Sequence, residues 1–243
     1  MNIKYFDTIS STNTYLLEHP ELNNLTIVYA SHQSEGRGRL GRTWLDNDDL
    51  LFSILVKENL TKPTDYTFLI AITLCEIIQD LGLKPLIKWP NDIIVNDKKI
   101  CGILLESKGS SKIDIVVIGV GLNTNTKSFD SSISNKATSL QLELDKHFDK
   151  DELIIKIANQ FESNYIDYNQ GKLDVIKEVA NRFYLLNKEV QFEYNHELLK
   201  GIVKGIDANG NIIIDVNQFN SKNQLLHVSS GEITLKDNYK NMV

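Results

Sequence analysis

Gly36-Arg37-Gly38-Arg39-Leu40-Gly41-Arg42-Thr43-Trp44-Leu45-Asp46-Asn47-Asp48-Asp49, followed by the apolar run Leu50 to Val56, is the stretch on which the fold turns. It contains a literal G-x-G-x-x-G at Gly36, Gly38 and Gly41. A dinucleotide-binding fingerprint needs a strand before that motif and a helix after it, with the pyrophosphate on the helix N-terminus. The β-rich segment Leu25 to Ser31 supplies a strand before, but the sequel is polar and then turns into a second strand. No amphipathic helix follows, and no Gly-Lys-Ser/Thr closes a P-loop. The chain is therefore read as strand–loop–strand here, which excludes the doubly wound dinucleotide fold. The loop itself is chemically unusual. The chain has four arginines against twenty-two lysines, and Arg37, Arg39 and Arg42 fall within six residues. Guanidinium is a planar bidentate donor suited to carboxylate and phosphate oxygens, where lysine is a point charge. The interleaved glycines let backbone approach a ligand closely. Glycine freedom and like-charge repulsion predict that residues 36–44 are mobile until an anion orders them.

Outward from this loop, Ser10-Ser11-Thr12-Asn13 before Tyr15-Leu16-Leu17 predicts an N-capped helix. After Pro63-Thr64, Phe68, Ala71, Ile72, Cys75 and Ile78 follow helical spacing up to Gly82. Residues 86–89, 93–96, 99–106 and 113–120 read as four short strands of a meander, and 123–136 as loop. Leu153, Ile154, Ile157, Ala158, Phe161 and Tyr165 form a helical stripe ending at Gly171, and Leu173, Ile176, Val179, Ala180 and Phe183 a second. From Glu189 only short strands are predicted, over 189–194, 198–206, 211–216, 224–228 and 232–235, with Asn209-Gly210 as a hairpin turn. This change of pattern predicts two domains, residues 1–186 and 187–243.

The 243 residues, 42% hydrophobic and 24% charged, are those of an ordinary globular protein. The net charge of -6 argues against a polyanionic partner, since non-specific nucleic-acid binding needs a basic surface. Cys75 and Cys101 sit in apolar runs and read as reduced core thiols. His19, His32, His147, His196 and His227 show no metal-binding spacing, so no metal site is expected. No signal peptide and no membrane-spanning run is read, and the expected location is the cytoplasm.

Three further segments carry chemistry. Lys88-Trp89-Pro90-Asn91-Asp92 presents an amide and a carboxylate in a turn. Lys98-Lys99-Ile100-Cys101-Gly102-Ile103-Leu104 opens a strand with a lysine pair and places a glycine inside it, the mark of a bulge or a close approach. Gly119-Val120-Gly121-Leu122-Asn123 ends the next strand with two more. With Ser11-Thr12-Asn13, Gln33, Glu106, Ala137-Thr138-Ser139-Leu140 and Gly231-Glu232-Ile233, these motifs stand in one order across residues 1–235. In that order the chain resembles the biotin protein ligases.

The resemblance implies an α+β fold: a mixed central β-sheet packed with helices, class II synthetase-like, and a small C-terminal SH3-like β-barrel. It implies an enzyme that activates biotin with ATP and Mg²⁺ to biotinyl-5′-AMP, then transfers biotin to a lysine of a biotin carboxyl carrier protein. Ser11, Thr12, Asn13 and Gln33 would hydrogen-bond the ureido ring. Arg37, Gly38, Arg39 and Lys99 would meet the carboxylate and α-phosphate, Trp44 the adenine, and Arg42 the phosphates. Asn91, Asp92 and Asn123 would border the nucleotide and the incoming lysine, with Asp92 as the base for that lysine. Gly102 and Gly119 would let biotin lie on the sheet. Fixed cations of this kind hold two anions together and stabilise the charge developing on the phosphoryl oxygens. The motifs begin at Ser11, so the short form without an N-terminal DNA-binding domain is expected, with no DNA and no membrane partner. Homodimerisation is left open. The rival readings are a lipoate–protein ligase of the same fold, which would carry a different Arg-Gly motif, and a nucleic-acid-binding module using the Gly-Arg loop. Against the latter stand the acidic whole and the scarcity of stacking aromatics near the loop.

Overall fold

The computed structural model describes residues 1–44, 47–58, 60–110, 112–217, 224–231 and 233–235. Glu232, Leu45 and Asp46, which figure in the motifs above, lie outside the described residues. Two compact units emerge. One comprises Met1–Leu86 with Asn91–Val175, the other Ile87–Pro90 with Ile176–Val243.

The first unit is built on strands β1 (Ile3–Ile9), β2 (Ile27–Gln33), β3 (Leu50–Val56), β5 (Asp92–Val95), β6 (Lys98–Lys108) and β7 (Ile115–Leu122); β4 (Leu86–Lys88) runs into the second unit. Side by side they run β1-β2-β3-β7-β6-β5. Only β1 and β2 pair in parallel; the other neighbours are antiparallel, so the sheet is mixed. All seven residues of β3 and all eight of β7 are buried, which makes these the central strands covered on both faces. On one face helix α1 (Thr12–Glu18) sets Leu16 against Val28, Leu55, Ile115 and Val117. Helix α2 (Asp65–Asp80) lies on β5, β6 and β7 and packs on α4 (Lys150–Asn169). Asp149 caps α4 by accepting from Asp151 N and Glu152 N, and Asp151 and Glu152 complement the dipole in the first turn. A short helix α3 (Leu140–Leu144) is capped by Ser139.

Two elements differ from the sequence expectation. Residues 3–9 form a strand that periodicity did not show, because β1 is an edge strand only half-buried on either face. Residues 123–126 are loop but fully interior: Asn123, Thr124, Asn125 and Thr126 are all buried. Asp49, 1% exposed, accepts from Thr124 N and Thr126 Oγ1, both at 2.7 Å. Burial raises its carboxyl above the ordinary range, against the lowering pull of those two bonds.

In the second unit helix α5 (Val175–Asn181) leads into strands β8 (Glu189–Tyr194), β9 (Glu197–Ile206), β10 (Ile212–Asp215), β11 (Leu225–Val228) and β12 (Ile233–Leu235). They form an antiparallel sheet in the order β11-β10-β9-β8-β12. Val190, Phe192, Val203, Ile212, Ile214 and Leu226 make its core. Ile87 bonds to Arg182 O and Tyr184 N, and Trp89 donates its indole N–H to Gly210 O at 2.9 Å. The Trp89–Pro90 peptide is cis. At the hairpin turn Asp207 accepts from Asn209 N, Asn211 N and His227 Nδ1. Burial opposes the ionised form, but the bonds from His227 and Asn211 prevail and hold its carboxyl at about 2.

Candidate active site

The candidate residues gather on one face of the first unit's sheet. Ser53 faces Gly119 across β3–β7, and Gly119 and Gly121 face Leu104 and Gly102 across β7–β6. Cross-strand partners share a face and side chains alternate along a strand. Ser53, Gly119, Gly121, Gly102 and Glu106 therefore look toward the side on which α1 lies.

The glycines give room to the protein's own side chains. A Cβ on Gly119 would come within 2.3 Å of Asn13 Oδ1, one on Gly121 within 2.3 Å of the Trp44 ring, and one on Gly102 within 2.7 Å of Trp44 Cζ3 and 3.0 Å of Lys99 Nζ. Trp44 thus lies across two neighbouring glycines, with Lys99 Nζ 5.4 Å from its ring centroid in a cation–π contact. Its Nε1 is buried and has no hydrogen-bond partner among the described residues.

Lys99 opens β6 and is pinned from both sides, its N–H bonding Lys136 O at 2.8 Å and its carbonyl accepting from Thr138 N at 2.9 Å. Nζ lies 2.7 Å from Asp92 Oδ1. That carboxylate oxygen is buried, and the approach is an ion pair without the angles of a directed hydrogen bond. Beside it Asn91 donates to Ile103 O at 2.6 Å and accepts from Arg39 at 3.2 Å. Asn123 donates to Thr138 O at 2.9 Å and is buried, so it ties the end of β7 to the 136–138 segment.

The arginine loop closes on itself. Gly38 N bonds Arg42 O at 2.7 Å, Trp44 N bonds Gly36 O at 3.0 Å, and Arg37 and Thr43 form an isolated antiparallel bridge. The turn between them places Leu40 at φ +56° and Gly41 at φ +73°, with Leu40 exposed. Arg37 donates to Thr14 Oγ1 at 2.9 Å and to both Glu106 oxygens at 3.2–3.3 Å.

Ser11 is the N-cap of α1 and accepts from Thr14 N at 3.5 Å. Gln33 Oε1 accepts from Thr12 N at 2.7 Å and from Thr12 Oγ1 at 3.0 Å. Asn13 donates to Glu106 Oε2 at 2.7 Å. The residues given a site role from the sequence fall in this unit, with Ser11, Thr12, Asn13, Gln33 and Arg37 around α1 and Trp44, Asn91, Asp92, Lys99 and Gly102 around the start of β6. Lys88, Trp89, Pro90, Gly231 and Ile233 of the motifs belong instead to the second unit. Sequence reasoning missed Ser53 and Thr14 and gave no role to Glu106. The signal for Ser53 was a single hydroxyl inside an otherwise apolar seven-residue strand.

The site offers donors and cations: guanidinium, ammonium, indole N–H and backbone amides around small residues. Such a surface suits a ligand with carboxylate or phosphate oxygens. Among the described residues no three His, Cys, Asp or Glu side chains converge to hold a metal, and no helix is long and apolar enough to cross a membrane.

Comparison with known proteins agrees with this chemistry. The model of the biotin/lipoate A/B protein ligase family matches residues 5–123, and that of the biotin protein ligase C terminal domain matches residues 185–236. The bifunctional ligase/repressor BirA of Bacillus subtilis is 30% identical over 227 residues, covering 88% of this chain and 69% of that protein. The biotin–[acetyl-CoA-carboxylase] ligase of Paracoccus denitrificans is 32% identical over 163 residues, covering 62% of this chain and 68% of the relative. Among solved structures, the Aquifex aeolicus biotin protein ligase in complex with biotin and ATP superposes with a TM-score of 0.83 at 24% identity, over 97% of this chain and 98% of that one.

Proposed function

As the chain belongs to the biotin protein ligases of the biotin/lipoate A/B protein ligase family, we propose that it converts biotin and ATP to biotinyl-5′-AMP and pyrophosphate, then passes the biotinyl group to one lysine of a biotin carboxyl carrier protein. In the first step a carboxylate oxygen bonds to the α-phosphorus and the bond to the β-phosphate oxygen breaks. Two anions must meet, and the observation that supports this reading is the set of cations this unit gathers: Arg37 on the loop beside Thr14, Arg39 on the loop beside Asn91, and Lys99 on β6 beside the adjoining Asp92. Lys99 and Arg37 hold the carboxylate and α-phosphate, Gly38 lends its backbone, Arg42 meets the outer phosphates and Trp44 covers the adenine. Mg²⁺, when bound with the nucleotide, would neutralise charge on the phosphates beside Arg42.

Thr12, Gln33, Ser11 and Asn13 meet the ureido ring; Gly119 and Gly102 serve by making room for Asn13, Trp44 and Lys99, which lie over them, and not by carrying biotin directly on the sheet. In the second step a neutral lysine amine bonds to the acyl carbon and AMP leaves. Asn91, Asp92 and Asn123 border the nucleotide and the incoming lysine, and Asp92 receives the proton that the incoming ammonium must lose. The test is direct. With biotin, ATP and Mg²⁺ the protein releases pyrophosphate and labels a carrier domain at one lysine, read by mass spectrometry. Turnover with lipoate or octanoate but not biotin would transfer the assignment to the lipoate branch.

Ligand also protects the loop. Arg37, Arg39 and Arg42 are trypsin sites on a loop whose tip, at Leu40, is exposed, and an anion among them adds charge-assisted hydrogen bonds. Limited digestion is rapid at these arginines without ligand and slowed at least severalfold by saturating biotin and ATP. Equal cleavage with and without ligand removes the gating role and leaves the ligase assignment intact.

A further inference from the structure

Ser53 stands at the middle of β3, 0% exposed, in a strand whose other six residues are apolar. A hydroxyl in such a place is costly unless it is hydrogen-bonded. Its Oγ lies 2.7 Å from Thr12 Oγ1 and 2.5 Å from Asn13 Oδ1. A line of oxygens therefore runs Gln33 Oε1, Thr12 Oγ1, Ser53 Oγ, Asn13 Oδ1, at successive distances of 3.0, 2.7 and 2.5 Å.

Two hydroxyls bring two protons to these three contacts. Neither amide can be turned to supply another. Asn13 Nδ2 already donates to Glu106 Oε2 at 2.7 Å, and Gln33 Oε1 already accepts from Thr12 N at 2.7 Å. Ser53 Oγ donates, shared between Asn13 Oδ1 and Thr12 Oγ1, and Thr12 Oγ1 donates to Gln33 Oε1 at 3.0 Å. A hydroxyl oxygen has two lone pairs; Ser53 engages one on Thr12, and the other can accept from a ligand N–H.

We propose that Ser53 is a positioning residue for ligand binding. It fixes the Thr12 hydroxyl, whose remaining lone pair accepts from a ureido N–H, and it holds Asn13 over Gly119 and against Glu106. Because Glu106 also holds Arg37 at 3.2 Å, the same line joins the N–H-recognising end of the site to the anion-recognising loop. The proposal rests on the biotin reading, since biotin carries the ureido N–H donors that the fixed Thr12 oxygen would serve.

The experiment compares the full-length protein with Ser53→Ala and Ser53→Cys in steady-state pyrophosphate release, varying biotin and ATP separately. Ser53→Ala is expected to raise KM for biotin about tenfold, the scale of one misplaced buried hydrogen bond, with kcat and KM for ATP within about twofold. Ser53→Cys, nearly the same shape with a weaker donor, falls between. An unchanged biotin KM in Ser53→Ala overturns the proposal. So does a parallel rise in both KM values with a large fall in thermal midpoint, which would mean a structural role alone. Should the alanine variant fail to fold, an unchanged biotin KM in Ser53→Cys overturns it equally. Wild-type protein that adenylates no biotin defeats the biotin reading itself, a result distinct from either.

Discussion

Lys99→Ala lowers the rate of adenylate formation by a factor of about 100 or more, the usual cost of losing one preorganised charge-stabilising donor. The size of the effect follows from how firmly this lysine is placed. Its backbone is held on both sides by residues 136–138, and its ammonium sits between Asp92 Oδ1 at 2.7 Å and the Trp44 ring. Removing it deletes a cation from the site and also leaves the buried Asp92 oxygen without its counter-charge. Lys99→Arg keeps the charge but not the compact shape, and recovers only part of the rate. Lys98→Ala stays within about twofold of wild type, because the β5–β6 register slips at Ile100 and so brings Lys99, not its neighbour, against Gly102. Single-turnover measurement of adenylate in the four proteins is the check. Equal losses at positions 98 and 99 would mean that the ammonium is not the group the reaction uses.

Gly119→Ala is expected to damage both stability and ligand binding. The new methyl would lie 2.3 Å from Asn13 Oδ1 and 2.9 Å from its Cγ. An exposed amide could swing aside, but this one is 4% exposed and tied to Ser53 at 2.5 Å and to Glu106 at 2.7 Å. Overpacking of this kind costs about 1–3 kcal/mol. Displacing Asn13 also breaks the hydrogen-bond line to Thr12 and Arg37, so biotin binding weakens by about tenfold or more. Gly38→Ala serves as the steric comparison, since its Cβ meets nothing nearer than 3.5 Å. Denaturant midpoints and calorimetric titration with biotin read the two consequences separately. A Gly119→Ala protein as stable as Gly38→Ala would show that Asn13 moves freely, contrary to the bonds described.

Much of this architecture was legible in the sequence where one physical pattern dominated. The unbroken apolar run 50–56 is a central strand, and the 3.6-residue stripes at 68–78 and 153–165 are helices α2 and α4. The Gly-Arg loop reads as lying outside the doubly wound dinucleotide fold because a strand follows it, and β3 does follow it. What escaped notice lacked such a pattern. The edge strand β1 is half-exposed on both faces, so no period of two marks it. The grouping of residues 87–90 with the second unit depends on backbone bonds to Arg182 and Tyr184 and on the Trp89 contact with Gly210, all remote in sequence. Ser53 and Glu106 matter through partners 40 and 93 residues away, Asn13 in both cases. A sequence shows residue types, whereas their pairing comes from sheet register.

Trp44, Gly102 and Gly121 together carry an evolutionary consequence. The indole rests on two positions where a single methyl would already overlap it, so these three sites form one epistatic unit. Neighbours in direct contact do not contribute additively. A side chain can be gained at 102 or 121 only after position 44 has become smaller, and that first step strips Lys99 of the aromatic surface beside it. The route out of the present arrangement passes through an intermediate worse than either end, so descendants of this chain are held to the trio as a whole.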